Sequence, residues 1–189
     1  MTWGECRLEC LRKMFASEGG TVNETDESVQ DYLYAMPQAA NEGVSLICAA
    51  RPVRKGAVLE GGQMIDLDAH LPDFLQAGTP EAYTADGLEP VDIRLVAGRY
   101  LYAPKGSVLY FYDARPSKIT QDTASDAELE LEEDAAVLLP LYMASQLYKE
   151  DDLSIATAYR NEFESALERL TVRAGGEVRG EFMSKTGWW

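Results

Sequence analysis

The chain has 189 residues, 46% of them hydrophobic and 10% aromatic, a composition that suits a globular fold and excludes a disordered one. Its 17 basic and 32 acidic residues leave a formal charge of −15, and no Lys/Arg cluster stands out, so direct phosphate binding is disfavoured. No apolar run reaches the roughly 20 residues of a membrane span, and three cysteines, an odd number, argue against a disulfide framework and for a reducing compartment.

The opening, MTWGECRLECLRKMF, is charged throughout and reads as an amphipathic helix, not a signal peptide. Trp3, Cys6, Cys10 and Met14 recur at helical spacing, with Leu8, Leu11 and Phe15 widening the stripe. A Gly pair in ASEGGT suits its C-cap. The next stretch, NETDESVQDYLYAMPQAANEGVSLICAA, begins with N-cap candidates and acids that suit a helix dipole. Val29, Tyr32, Leu33 and Met36 share a face, and Val44, Ile47 and Cys48 resume it. Pro37 between them predicts a kink or a division into two helices.

From about Lys55 to Leu131 the apolar period becomes two. GAVLE-GG-QMIDL reads as two strands around a Gly-Gly hairpin turn. HLPDFLQAGTP reads as a helical turn with Pro72 near its start and Gly78 at its end. VDIRLVAGRYLYAP alternates as a strand, and SVLYFYDA follows the turn APKGS as another, so a small antiparallel sheet or sandwich is expected. Packing explains Tyr100, Tyr102, Tyr110 and Tyr112, with an exposed binding face as the second reading. The acids Asp122, Asp126, Glu128, Glu130, Glu132, Glu133 and Asp134 follow; ELELE is expected as an edge strand and EEDAA as a helix start.

AAVLLPLYMASQLYK is apolar on nearly every side, so it should be buried, with a kink at Pro140. After KEDD, where Asp151 or Asp152 caps the next helix, Leu153, Ala156, Tyr159, Phe163, Ala166 or Leu167, and Leu170 form an amphipathic stripe. So short a turn makes an antiparallel helical hairpin. The expected fold is therefore α+β. Residues 1–54 and 132–171 supply two helix pairs of a four-helix bundle, residues 55–131 a β-rich antiparallel insertion, and residues 172–189 an extended, Gly-containing C-terminal arm.

Chemistry has little support in the sequence. His70 stands alone beside LPDF, where a surface or capping role is the ordinary one. Cys6 and Cys10 share a helix face but lack further ligands at metal-site spacing. Asp66 and Asp68 do not continue into a calcium loop, and Glu132, Glu133 and Asp134 are better read as helix-dipole partners than as glycosidase acids. No catalytic, cofactor-binding or metal-ligating residue is assigned.

The helical hairpin carries a resemblance. Leu139, Pro140, Leu141, Tyr142, Ala144, Leu147, Asp151 and Asp152 match a pattern LPLYxAxxLxxxDD, and Tyr159, Asn161, Phe163, Glu164, Leu167 and Leu170 match YRNxFExxLxRL. In both, in its opening helix and in the approach YDARPSKITQDTASDAELELEEDAA, the chain resembles head–tail adaptor (portal-connector) proteins of tailed bacteriophages and prophages. The resemblance implies a non-enzymatic virion protein of the neck, present in the host cytoplasm during assembly. It further implies a ring, twelvefold by that analogy, that forms on the portal protein, contacts neighbouring adaptor subunits and joins neck or tail proteins. DNA would pass through such a ring without specific binding, which suits an acidic lumen. The isolated chain is then expected to be a monomer. Within the arm, Arg179, Phe182, Met183, Lys185, Trp188 and Trp189 are the expected partner contacts, since Trp side chains often anchor interfaces. The alternative is a binding module whose Tyr-rich β-insertion contacts a carbohydrate or a receptor.

Overall fold

The computed structural model describes residues 1–15 and 24–174. Helices and antiparallel strands are segregated along the chain, so the protein is α+β. Helix α1 (Trp3–Met14) starts at Thr2, whose hydroxyl accepts from Glu5 N–H while the Glu5 carboxylate accepts from Thr2 N–H. This reciprocal cap satisfies two donors that a helix start leaves open. The buried stripe is the expected one: Trp3, Cys6, Cys10, Leu11 and Met14. Helix α2 (Glu27–Ala50) is capped by Asp26 and runs through Pro37 without division.

Six strands follow. They are β1 (Val53–Glu60), β2 (Met64–Asp66), β3 (Phe74–Thr84), β4 (Arg94–Val96), β5 (Tyr100–Tyr102) and β6 (Ser107–Ala114), with the single turn α3 (Leu67–His70) after β2. They form two antiparallel sheets, ordered β1-β6-β3 and β2-β5-β4. The inner faces share one core: Leu59, Tyr110, Tyr112 and Phe74 from the first sheet meet Ile65 and Leu101 from the second.

Three expectations are corrected in this region. The Gly61-Gly62 pair is not a hairpin turn, because β1 and β2 belong to different sheets. It is a crossing point: Gly61 N–H bonds Gly106 O and Gly62 N–H bonds Ala103 O, and a Cβ at Gly61 would lie 2.0 Å from Pro104 O. The helical turn lies at Leu67–His70, ahead of Pro72, and Phe74 onward is strand because it pairs with β6. Gly78 and Pro80 fall in a bulge of that strand between Gln76 and Glu81. The alternating run Val91–Tyr102 is a hairpin, with Ala97 and Gly98 both at positive φ in the turn.

Residues 115–131 return to the helices. ELELE forms no edge strand; Glu128 makes a lone bridge to Thr2, and Leu129 N–H bonds Met1 O, so the stretch lies along the chain's start. Pro140 divides the apolar run instead of kinking it. Helix α4 (Glu133–Ala136) stops, and α5 (Leu139–Leu147) begins with Pro140 in its first turn, where a missing N–H costs nothing. Helix α6 (Leu153–Ala174) is capped by Asp152, which accepts from Ser154 and Ile155 N–H. Ala156, Phe163 and Leu170 are buried as expected, but Leu153 is 69% exposed, since it is the first residue of the helix and precedes the packed turns.

Helix α5 touches α1, α2 and α6, and α2 also touches α6. Helix α2 comes close to α5 at Gly43, where a Cβ would lie 2.7 Å from Leu139 Cδ1 and 2.8 Å from Tyr142 Cδ1. Gly43→Val is therefore expected to destabilise the protein by about 1–3 kcal/mol through overpacking, although valine is the better helix former. Urea unfolding followed by circular dichroism reads this directly.

Candidate partner interface

The side chains that chemistry would need are engaged in structure. Cys6 and Cys10 lie in the helical core, where Cys6 Sγ donates to Met143 Sδ at 3.6 Å. Burial pushes the Cys6 thiol up to about 12 and that of Cys48 up to about 11, away from the reactive thiolate. His70 is exposed, with Nδ1 2.9 Å from Asp66 O. Asp66 receives a two-pronged Arg99 guanidinium at 2.6 and 2.7 Å, which holds its carboxyl below the usual range, and Asp68 lies 3.4 Å from the same group. Glu132 and Asp134 both pair with Arg51 at the end of α2, Asp134 at 3.1 Å. Among the described residues, no three or more His, Cys, Asp or Glu side chains are grouped to hold a metal.

The residues of the hairpin motifs have packing roles. Phe163 meets the Tyr142 ring edge-on at 5.2 Å, Arg160 stacks 5.3 Å over Tyr142, and Tyr159 donates to Lys13 O at 2.6 Å. Asp151 accepts from the Tyr32 hydroxyl, which closes the α5–α6 turn onto α2. The expected arm contacts Arg179, Phe182, Met183, Lys185, Trp188 and Trp189 lie outside the described residues.

What the structure adds is a groove of about 600 Å³ beside the C-terminal half of α2. Val44, Cys48 and Ala49 form its helix wall, Leu75 of β3 its far wall, and Arg115 and Lys118 its rim. Neither cation has an ion pair among the described residues, in a chain of net charge −15. The sequence conceals this site because its walls come from α2, β3 and the segment after β6, and two cations three residues apart make no visible cluster.

Both flanks of that segment are fixed. Asn41 of α2 donates to Pro37 O and Ile119 O, each at 2.8 Å, and accepts from Ile119 N–H at 3.0 Å. On the other flank, Lys55 Nζ bridges Asp73 at 2.8 Å and Glu130 at 2.9 Å, and Glu130 also accepts from Ser117 at 2.6 Å. A second exposed surface lies on the small sheet. Tyr110 and Tyr112 are buried, but Tyr100 and Tyr102 face solvent with Met64 and Val96, and Arg99 stacks 5.5 Å over Tyr100. No protein-family model matches the chain, and no curated protein does either.

The Lys55 network makes stability depend on pH in a defined direction. Burial raises the Asp73 carboxyl, but hydrogen bonds from Lys55 and Tyr112 outweigh it and bring it below 3.8; bonds from Ser117 and then Lys55 bring Glu130 below 4.5. Groups depressed in the folded state stabilise it above their unfolded values and lose that contribution as pH falls. Melting temperature is expected to drop through that acid range, and Lys55→Met should shrink the drop; thermal melts at a series of pH values measure both.

Proposed function

We propose that the protein is a structural, non-enzymatic head–tail adaptor of a tailed bacteriophage or prophage. In this reading α1, α2, α5 and α6 act as one four-helix bundle that stands beneath the portal protein, with neighbouring copies completing a ring and neck or tail proteins following below. The observation that carries the reading is the α5–α6 hairpin. Its motif residues pack: Phe163 of α6 meets Tyr142 of α5, Tyr159 bonds Lys13 O of α1, and Leu170 is buried in the same core, so the matching pattern belongs to an element of the helical layer. The net charge supports a ring whose lumen repels the phosphates of passing DNA, and the groove bordered by Arg115 and Lys118 offers an acidic partner a seat. None of the described helices is long and apolar enough to cross a membrane.

Negative-stain imaging of portal rings from the encoding genome, mixed with the full chain, tests the proposal. An added layer of density on one end of the ring is expected, and deletion of residues 180–189 should weaken it. Rings left bare across a range of salt and protein concentrations would overturn the reading.

A second reading rests on the exposed Tyr100 and Tyr102, which present adjacent aromatic faces as carbohydrate-binding surfaces do. A glycan array separates the two. Under the adaptor reading no glycan is retained, whereas retention lost in Tyr100→Ala and Tyr102→Ala chains would favour the binding module.

A further inference from the structure

Strand β3 ends in a turn with an unusual residue at its tip. Leu88 has a φ of 52°, in the left-handed region where glycine sits freely and a leucine costs conformational energy. Its side chain is 62% exposed, so packing within the chain does not offset that cost. The turn is nonetheless firmly held. Thr84 N–H donates to Glu89 O at 2.8 Å, Thr84 O accepts from Leu88 N–H at 3.0 Å, and Thr84 Oγ1 accepts from Glu89 N–H at 3.1 Å. A strained leucine held in a fixed outward position points to a contact beyond its own chain.

Acids stand on both sides of it. Asp86 and Glu89 are exposed, and neither has an ion pair among the described residues. The groove beside α2 is the counterpart of this turn. It has apolar walls at Val44, Cys48, Ala49 and Leu75, of which Leu75 is 40% exposed, and the unpaired cations Arg115 and Lys118 at its rim. Its volume of about 600 Å³ admits a whole turn. Two acids three positions apart thus match two cations three positions apart, each pair beside an apolar surface.

The two surfaces cannot meet within one copy. Leu75 and Arg115 directly follow Phe74 and Ala114, which pair at one end of the β3–β6 ladder, whereas Leu88 lies past the Thr84/Val108 pair at the other end. Those pairs are separated along β6 by about 20 Å at ~3.3 Å per residue.

We infer that the groove seats the β3–β4 turn of a second copy of this chain: Leu88 of one copy enters between Val44 and Leu75 of the next, with Asp86 and Glu89 toward Arg115 and Lys118. Donor and receiver are different surfaces, so every pair of copies keeps one of each free. Such a contact propagates head to tail until rotation closes it into a ring. It names the contact between neighbouring copies in the adaptor reading, on which its ring form rests, and it replaces the monomer expected from sequence with a concentration-dependent series.

Sedimentation of the full chain, without portal, tests the contact, so its failure is distinguishable from a failure of portal binding. A contact of this size is transient, so concentrations from about 10 to 500 µM are suitable, in about 0.15 M salt to screen the shared negative charge. The average mass of the wild-type chain is expected to rise past that of a dimer. Leu88→Gly suits the φ of 52° and keeps the fold, yet should weaken association about tenfold or more. Arg115→Glu with Lys118→Glu alters exposed side chains only and should abolish association. An equimolar mixture of these two variants retains one intact turn and one intact groove, so it should form a dimer and nothing larger, although each variant alone is monomeric. A wild-type chain that stays monomeric or stops at a dimer overturns the inference. So does association indifferent to Leu88→Gly, or a mixture that forms no dimer.

Discussion

Helix α5 has no polar side. Every residue from Leu139 to Ser145 is buried, and an apolar segment of that kind gains free energy only if other elements cover it all round. That constraint recruits α1, α2 and α6, each of which presents one apolar stripe. It also explains local details that look unrelated. Gly43 is small because α2 must approach Leu139 and Tyr142 closely, and the Cys6 thiol meets Met143 because α1 closes a third side. Thiols placed in this way are packing groups first, and their chemistry is suppressed by the same burial.

The β-region enters and leaves the helical layer through adjacent strands, since Val53 at the start of β1 pairs with Ala114 at the end of β6. The chain then has to cross back over α2 before it reaches α5. Asn41 holds that crossing from the helix side by offering Ile119 a strand-like pair of hydrogen bonds, and the Lys55–Glu130–Ser117 chain holds it from the sheet side. A segment fixed on both flanks but spanning two layers leaves a recess beneath it. The groove with Arg115 and Lys118 at its rim is a consequence of that topology.

Acidic residues divide into two populations. Asp66, Asp73, Glu130, Glu132 and Asp134 neutralise Arg99, Lys55 and Arg51 and so tie elements together. Asp122, Asp126, Glu128 and Glu133 have no ion pair among the described residues and remain at the exposed surface. The first population includes Asp66, Glu132 and Asp134, three of the acids that resembled a metal or catalytic site in sequence. In the proposed ring, the second would provide the field that keeps DNA from adhering.

What the residues determine locally was legible from the sequence. The stripe Trp3–Cys6–Cys10–Met14, the buried run before KEDD, the stripe Ala156–Phe163–Leu170 and the mixed α+β order all depend on period and capping, which act over a few residues. What depended on partners distant in sequence was not. Gly61-Gly62 has the composition of a hairpin turn, yet its neighbours are Ala103 to Gly106, and only their approach decides that the glycines mark a crossing between sheets. Phe74–Thr84 carries Gly and Pro as a loop would, and pairing with β6 makes it a strand. The groove is of this second kind, because a surface assembled from separate segments has no period to read. Local sequence sets which elements form; the long-range pairings of β6 and the enclosure of α5 decide which of their faces remain open to a partner.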